Sequence, residues 1–259
     1  MCVNMASTGR STIAAMQHPI LIATNGGEAN GNGTARLLEG LLSSLPLFQQ
    51  VPRTSVGMIA SHSRIQYVRR GAAICRRSER LPGVIAMGYG IAKLALRRPG
   101  SGEKVVEFLG ASETFGESTA LLDLPCPVDV VALEDSMIAV VSAAPLQRLI
   151  ERDPRFADNM MRAMAGKFLD LLAELESSLQ QSALQRLAAY LASLAKPNDG
   201  SSGAIVRLPA SKTAVAARLG ITKETISRLL RELAEQGLIR VAGREILILD
   251  RSSLAKIFR

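Results

Sequence analysis

The side chains with the clearest chemistry lie between Lys212 and Arg231. Ala216, Gly220 and Ile226 stand four and six residues apart, the spacing of a helix-turn-helix. A small residue lets two helices approach, glycine accepts the sharp turn, and a β-branched residue plugs the angle between the helices. Val215, Leu219, Ile221 and Leu229 supply the shared core, and Thr222 stands as N-cap of the second helix. On that helix Ile226, Leu229 and Leu233 make one apolar stripe, while Glu224, Ser227, Arg228 and Arg231 project from the other side, with Lys223 at its start. Guanidiniums, a hydroxyl and a carboxylate on one helical face match the donor and acceptor pattern of the DNA major groove. The alternative is an αα-hairpin with coincidental surface charge. The segment Gly237–Asp250 argues against that, because it reads as a β-hairpin turning at Ala242-Gly243, the wing of a winged helix.

Charge supports the same reading. Residues 182–259 hold 13 of the 31 Lys+Arg and 6 of the 23 Asp+Glu, a net +7, whereas residues 1–181 hold 18 and 17. Nearly all the excess positive charge therefore sits in the last segment, the electrostatic footprint of a polyanion-binding module. A second basic cluster, six arginines between Arg64 and Arg80, is expected to be a solvated strand face. Three scattered cysteines (Cys2, Cys75, Cys126) without a C-x-x-C pair offer neither a disulfide framework nor a zinc ribbon. Two histidines, His18 and His62, cannot build a multi-histidine metal site in one chain. With no 18-residue apolar run and no readable signal peptide, a soluble, cytoplasmic protein without membrane contact is expected.

The elements that must position the helix-turn-helix are readable in outline. Residues 1–35 are rich in Gly, Asn, Thr and Ser, bury too little to offset their ordering entropy, and are expected to be a disordered tail or an arm that orders on a partner. Arg36–Leu47 and Thr54–His62 look helical. Short apolar runs follow at Ile65–Val68, Ala72–Cys75, Val84–Leu96, Lys104–Leu109, Val128–Leu133 and Met137–Val141, with Gly and Pro between them, and predict a β-roll or sandwich over 36–150. After Asp153-Pro154 the period becomes helical. Met161, Met164, Phe168, Leu171, Leu175 and Leu179 form a narrow seam over 153–181, of the kind that meets a second helix and predicts a homodimer. Ala183–Ala195 predicts a further helix at the start of a winged-helix unit spanning 182–259. The predicted fold class is α+β.

The chain resembles the Crp/Fnr transcription regulators. Leu208-Pro-Ala-Ser-Lys212, Leu219-Gly-Ile-Thr-Lys-Glu-Thr-Ile-Ser-Arg228 and Gly237-Leu-Ile-Arg-Val are very like their C-terminal domain. Ile91-Ala-Lys-Leu, Gly102-Glu-Lys-Val-Val-Glu-Phe-Leu-Gly110 and Thr114-Phe-Gly-Glu117 look like their effector-binding domain, a double-stranded β-helix of the cyclic-nucleotide-binding kind. The resemblance implies a β-roll sensor, a long dimerisation helix, a winged helix-turn-helix that binds double-stranded DNA, and RNA polymerase as a partner. It adds Ser211, Lys212 and Thr222 to the DNA-contacting set. The Glu224, Ser227, Arg228 arrangement is similar to that of Fnr-type members and implies a TTGAT-N4-ATCAA target. Lys223 stands where many relatives have proline or arginine, and is expected to touch phosphate.

In cyclic-nucleotide-binding relatives a Gly-Glu pair is followed by Pro-Arg-Ser/Thr, whose arginine pairs with the cyclic phosphate. Here Gly116-Glu117 is present, but Pro125 is followed by Cys126-Pro127. Without the guanidinium a phosphate would be desolvated unpaired, so cAMP is not the expected effector. Gly116, Glu117 and Cys126 remain the effector-pocket candidates, with Gly116 and Glu117 read mainly as turn formers. Phe115-Gly-Glu and Leu124-Pro-Cys-Pro-Val128 resemble the Dnr/NnrR-type branch, in which some members sense nitric oxide through haem. That implies haem as a candidate cofactor, with His62 and Cys75 as candidate ligands besides His18, Cys126 and Cys2. The iron–sulfur branch needs four cysteines, three of them clustered, so no Fe–S cluster is expected. Two other classes stay open from the residues alone: a cupin-like metal enzyme, and an effector-binding signalling subunit without DNA contact.

Overall fold

The computed structural model describes residues 31–97, 102–195 and 204–258. The expected tail lies outside the described residues as far as residue 30. Helix α1 then runs Gly31–Ser44, beginning before the expected boundary at residue 36. Burial of Leu38 and Leu42 anchors this helix, and extending it backwards through a glycine-containing turn costs far less than nucleating it. A 3-10 turn, Pro46–Phe48, and α2, Arg53–Ser61, complete a helical layer at the start of the chain.

Eight strands make two antiparallel sheets. One has the order β1 (Ser63–Val68), β8 (Ser136–Ser142), β3 (Gly83–Tyr89), β6 (Thr114–Phe115). The other has β2 (Ala73–Cys75), β7 (Asp129–Ala132), β4 (Ala92–Arg97), β5 (Glu103–Leu109). The apolar run expected as Val84–Leu96 is thus two strands. Gly90, at φ +86°, makes the break, and a Cβ there would come within 2.8 Å of the Asp135 carbonyl oxygen.

Period-two alternation explains why β3 and β8 are apolar on both faces. Ile85, Met87, Ile138 and Val140 point into the roll against Val130, Ala132, Ala92 and Leu109 of the other sheet. Val84, Ala86, Ala139 and Val141 point outward, where α1, α2 and two later helices cover them. One of these is α4, Ala143–Arg152, to which the sequence pattern assigned no element; nor did it find α3, Glu117–Leu122. The other is α5, Pro154–Gln180, whose N-cap Asp153 accepts from the Arg155 and Phe156 backbone N–H groups, with Pro154 in the first turn.

The first half of α5 corrects the expected seam. Phe156 and Met160 are buried and Met164 packs beside them in the core of its own domain, so Met164 is not part of the exposed stripe. The i, i+4 row 156, 160, 164 faces the helical layer, and the remaining seam residues leave it. Met161, Phe168, Leu171, Leu175 and Leu179 are exposed, flanked by exposed Leu169 and Leu172.

A third core belongs to the C-terminal unit. Helix α6, Ala183–Leu194, opens with a capping box between Ser182 and Gln185 and buries Leu187, Ala188 and Leu191. These meet α7 (Lys212–Leu219), α8 (Lys223–Glu235) and a small sheet ordered β10 (Ile239–Ala242), β11 (Glu245–Ile248), β9 (Ala204–Arg207), with α9, Arg251–Lys256, closing the unit. Among the described residues no helix is long and apolar enough to cross a membrane.

Candidate nucleic-acid interface

Each device expected in the helix-turn-helix has a local physical role. Ser211 caps α7 by accepting from the Ala214 backbone N–H at 3.3 Å. Gly220 takes φ +70° at the end of α7, and the Ile221 N–H then reaches back to the Ala216 carbonyl at 3.0 Å. Thr222 caps α8, accepting from the Thr225 N–H at 3.1 Å. Ile226, Leu229, Leu230 and Leu233 are buried beneath α8. That leaves Lys223, Glu224, Ser227, Arg228 and Arg231 together on the exposed face, with Ser211 exposed and Lys212 half-buried at the entry of α7.

These side chains are unequally free. Ser227 Oγ donates to the Lys223 carbonyl at 2.9 Å, within its own helix. The Glu224 carboxyl is held below its ordinary range by its own backbone N–H, then by the Thr222 hydroxyl, and so remains an acceptor at neutral pH. Arg228 is 3.9 Å from Glu232, a loose i, i+4 pair on an exposed face. The wing turns at Gly243-Arg244, one residue later than expected, because Ala242 pairs with Glu245. Arg244 is turned inward. It donates to the Leu208 and Pro209 carbonyls and reaches Glu134 of the roll at 3.2 Å.

One charged cluster that sequence reasoning missed ties the three parts together. Glu174 on α5 pairs with Lys104 of β5 at 2.8 Å and with Arg218 of α7, and Lys104 also donates to the Arg218 carbonyl. Around them lies a cleft of about 460 Å³, lined by Glu107, Lys167, Arg186 and Tyr190 among others. Burial pushes the Glu107 carboxyl above its ordinary range, and pushes the Tyr190 phenol up to about 12. A second cleft, about 800 Å³, separates Ala73, Arg76, Asp129 and Val131 of the roll from Thr222 and Lys223.

The effector candidates Gly116 and Cys126 lie against the Glu79–Gly83 segment of the roll. Gly116 is the N-cap of α3 at φ +92°, a backbone conformation that strains any side chain, which is why glycine stands there. Glu117 is buried and is held by Lys167 of α5 at 2.9 and 3.1 Å and by the Thr114 hydroxyl. The protein's own ammonium thus partners this carboxylate. Cys126 is buried, its Sγ 3.3 Å from the Val128 carbonyl oxygen. Cys75 is buried in the same core, while His62 is exposed at the C-terminal end of α2, with Nδ1 2.9 Å from the Met58 carbonyl oxygen. His18 and Cys2 lie outside the described residues. The cavity touching Cys75 is about 20 Å³, far too small for a porphyrin, and His62 does not line it, so these residues do not fit a haem site as folded. Among the described residues no three His, Cys, Asp or Glu side chains cluster as metal ligands.

Comparison with known proteins agrees with this geometry. Residues 185–257 match the model of the Crp-like helix-turn-helix domain and residues 65–153 match the cyclic nucleotide-binding domain. The chain is 25% identical over 212 residues to the "Cyclic AMP receptor protein" of Thermus thermophilus, covering 82% of this chain and 96% of that one. It is 26% identical over 192 residues to the "Transcriptional activator protein FnrA" of Stutzerimonas stutzeri, covering 73% and 78%. In fold it is similar to FixK2 from Bradyrhizobium japonicum, with a TM-score of 0.68, 21% identity and coverage of 76% and 98%. It is equally similar in fold to a CooA mutant from Carboxydothermus hydrogenoformans, with a TM-score of 0.69, 22% identity and coverage of 86% and 95%.

Proposed function

Because the chain belongs to the Crp/Fnr family of DNA-binding transcription regulators, not enzymes, we propose that it works as a homodimer reading a TTGAT-N4-ATCAA palindrome under an effector other than cAMP, with RNA polymerase as a further partner. In this reading residues 36–150 sense, 153–181 pair the protomers, and 182–259 read DNA. The family assignment sets aside the two other classes, a cupin-like enzyme and a signalling subunit without DNA contact.

The observation that carries the DNA reading is the division of α8: four apolar side chains buried beneath it, and Glu224, Ser227 and Arg228 exposed on one face. Arg228 has the geometry to donate two hydrogen bonds to guanine O6 and N7, and Glu224 to accept from cytosine N4. Lys223, Ser211 and Lys212, near helix starts, are assigned to phosphate and register. Two-fold symmetry would set the half-site centres about 34 Å apart. Random-site selection with the full chain tests this directly, and a consensus without an inverted TTGA/TCAA pair refutes it. Arg228→Ala is expected to cost about 1–3 kcal/mol and flatten preference at the guanine, whereas Lys223→Ala weakens all sequences alike and lowers the salt slope.

A further inference from the structure

The roll contains two free thiols that no part of the DNA-reading function uses. Cys75 ends β2, and Cys126 lies in the Pro125–Pro127 turn ahead of β7. Backbone pairing brings the two segments side by side. Cys75 is in register with Val130, the Ser78 N–H donates to the Cys126 carbonyl at 2.8 Å, and the Cys126 N–H donates to the Glu79 carbonyl at 2.7 Å. Both thiols are buried in the core between the sheets and interact directly with each other. Their outer contacts are two backbone carbonyls, those of Arg76 and Val128, each 3.3 Å from a sulfur. The cavity of about 20 Å³ beside Cys75, rimmed by Glu79 and Arg80, has room for a molecule of water's size.

We propose that Cys75 and Cys126 are a reversible dithiol that closes to a disulfide on reaction with hydrogen peroxide, and that closure alters the wall of the roll facing the helix-turn-helix. One thiol, as its thiolate, attacks a peroxide oxygen. The O–O bond breaks, and the departing hydroxide leaves as water with that thiol's proton. The second thiol attacks the sulfur of the resulting sulfenic acid, breaking its S–O bond, and its proton leaves with the hydroxyl as a second water. The sulfur pair loses two electrons and the peroxide gains them. The neighbouring Cys75 thiol favours this start, because its proximity lowers the Cys126 thiol to about 7 while Cys75 itself is raised. Closing the bond draws the sulfurs to about 2.0 Å and removes the S–H donors now bonded to the Arg76 and Val128 carbonyls, which releases the Arg76–Glu79 turn and the Pro125–Val128 segment to shift. Arg76 and Asp129 adjoin those segments and line the cleft opposite Thr222 and Lys223, which makes the shift felt by the DNA-reading unit.

The full chain is reduced, desalted, exposed to hydrogen peroxide, alkylated under denaturing conditions and mapped by mass spectrometry. The expected product is a peptide pair joining Cys75 to Cys126, lighter by two hydrogens and restored by dithiothreitol. It persists in Cys2→Ser and is absent from both Cys75→Ala and Cys126→Ser. Recovery of Cys75 and Cys126 as alkylated thiols, or links to Cys2 alone, overturns the proposal whatever the variants do. A second arm rests on the DNA-binding reading: oxidised and reduced protein should differ at least about fivefold in affinity for selected DNA. Equal affinities overturn the switch, whereas failure of the reduced protein to bind any selected DNA refutes the DNA reading and leaves the mass result to decide the thiols.

Discussion

Under the proposed pairing of two protomers through α5, replacing Leu175 by glutamate is expected to give monomers that no longer bind the proposed palindrome. Met161, Phe168, Leu171, Leu175 and Leu179 are 63, 59, 55, 54 and 77% exposed along one helix, and Leu169 and Leu172 extend the patch. At about 100 Å² of exposed surface each, the seven offer roughly 700 Å² per protomer, close to one partner's share of a standard interface. Covering the exposed half of a leucine returns about 1 kcal/mol, so Leu175→Glu forfeits that in each chain. It also buries two carboxylates without partners, at several kcal/mol apiece. The sum, on the order of 8 kcal/mol per dimer, raises the dissociation constant by roughly 10⁵-fold or more. Sedimentation velocity at micromolar protein reads this directly, with DNA binding measured on the same sample. Met164→Ala is the contrast, because Met164 packs in its own domain: it should cost about 1–2 kcal/mol of stability and leave the dimer intact. A Leu175→Glu protein that sediments as a dimer would show that this stripe covers something other than a second copy.

Three other outcomes follow from the roll and its joint. Calorimetry with cAMP is expected to show no binding at micromolar concentration, since Cys126 carries no positive charge and Lys167 already partners Glu117; a dissociation constant near 1 μM, about −8 kcal/mol, contradicts this. Glu107→Gln should raise the unfolding midpoint at pH 7. Burial raises the folded pKa of Glu107, so the native state binds the extra proton, and the stability it contributes is present below the unfolded value and lost as pH rises through the folded one. The advantage of glutamine should accordingly vanish below about pH 4, near the ordinary glutamate value, and a pH-independent difference would exclude this cause. Glu174→Ala leaves Lys104 and Arg218 without their shared carboxylate, and about 1–3 kcal/mol of docking should be lost. Faster amide exchange in β5 and α7 would register that loss, and unchanged exchange would show that apolar contacts alone hold the joint.

The helix-turn-helix is legible in the sequence because everything that makes it is local. Caps at Ser211 and Thr222, the glycine at 220 and the apolar stripe of α8 act within one or two turns of each other. The strands are legible for the same reason, since alternation and turn residues are neighbours in the chain. Their pairing is not, because β1 lies beside β8, with Ser63 opposite Val141. Nor is the rotation of α5, which depends on the helical layer that captures Met164.

The charged joint is the extreme case. Lys104 and Arg218 are 114 residues apart, and Lys167 and Glu117 are 50 apart, so each reads in the sequence as one more solvated charge. Cys75 and Cys126 carry no spacing signal at all, and only the fold makes them a pair. This asymmetry follows from what each task demands. A DNA-reading face needs one helix with one buried side, whereas a sensor needs a signal to pass from the roll through α5 to α7, and contacts that do so must join distant parts of the chain. Lys104, Glu174 and Arg218, with the Arg244–Glu134 pair, are charged contacts by which the roll and α5 meet the C-terminal unit, and each joins residues far apart in the chain.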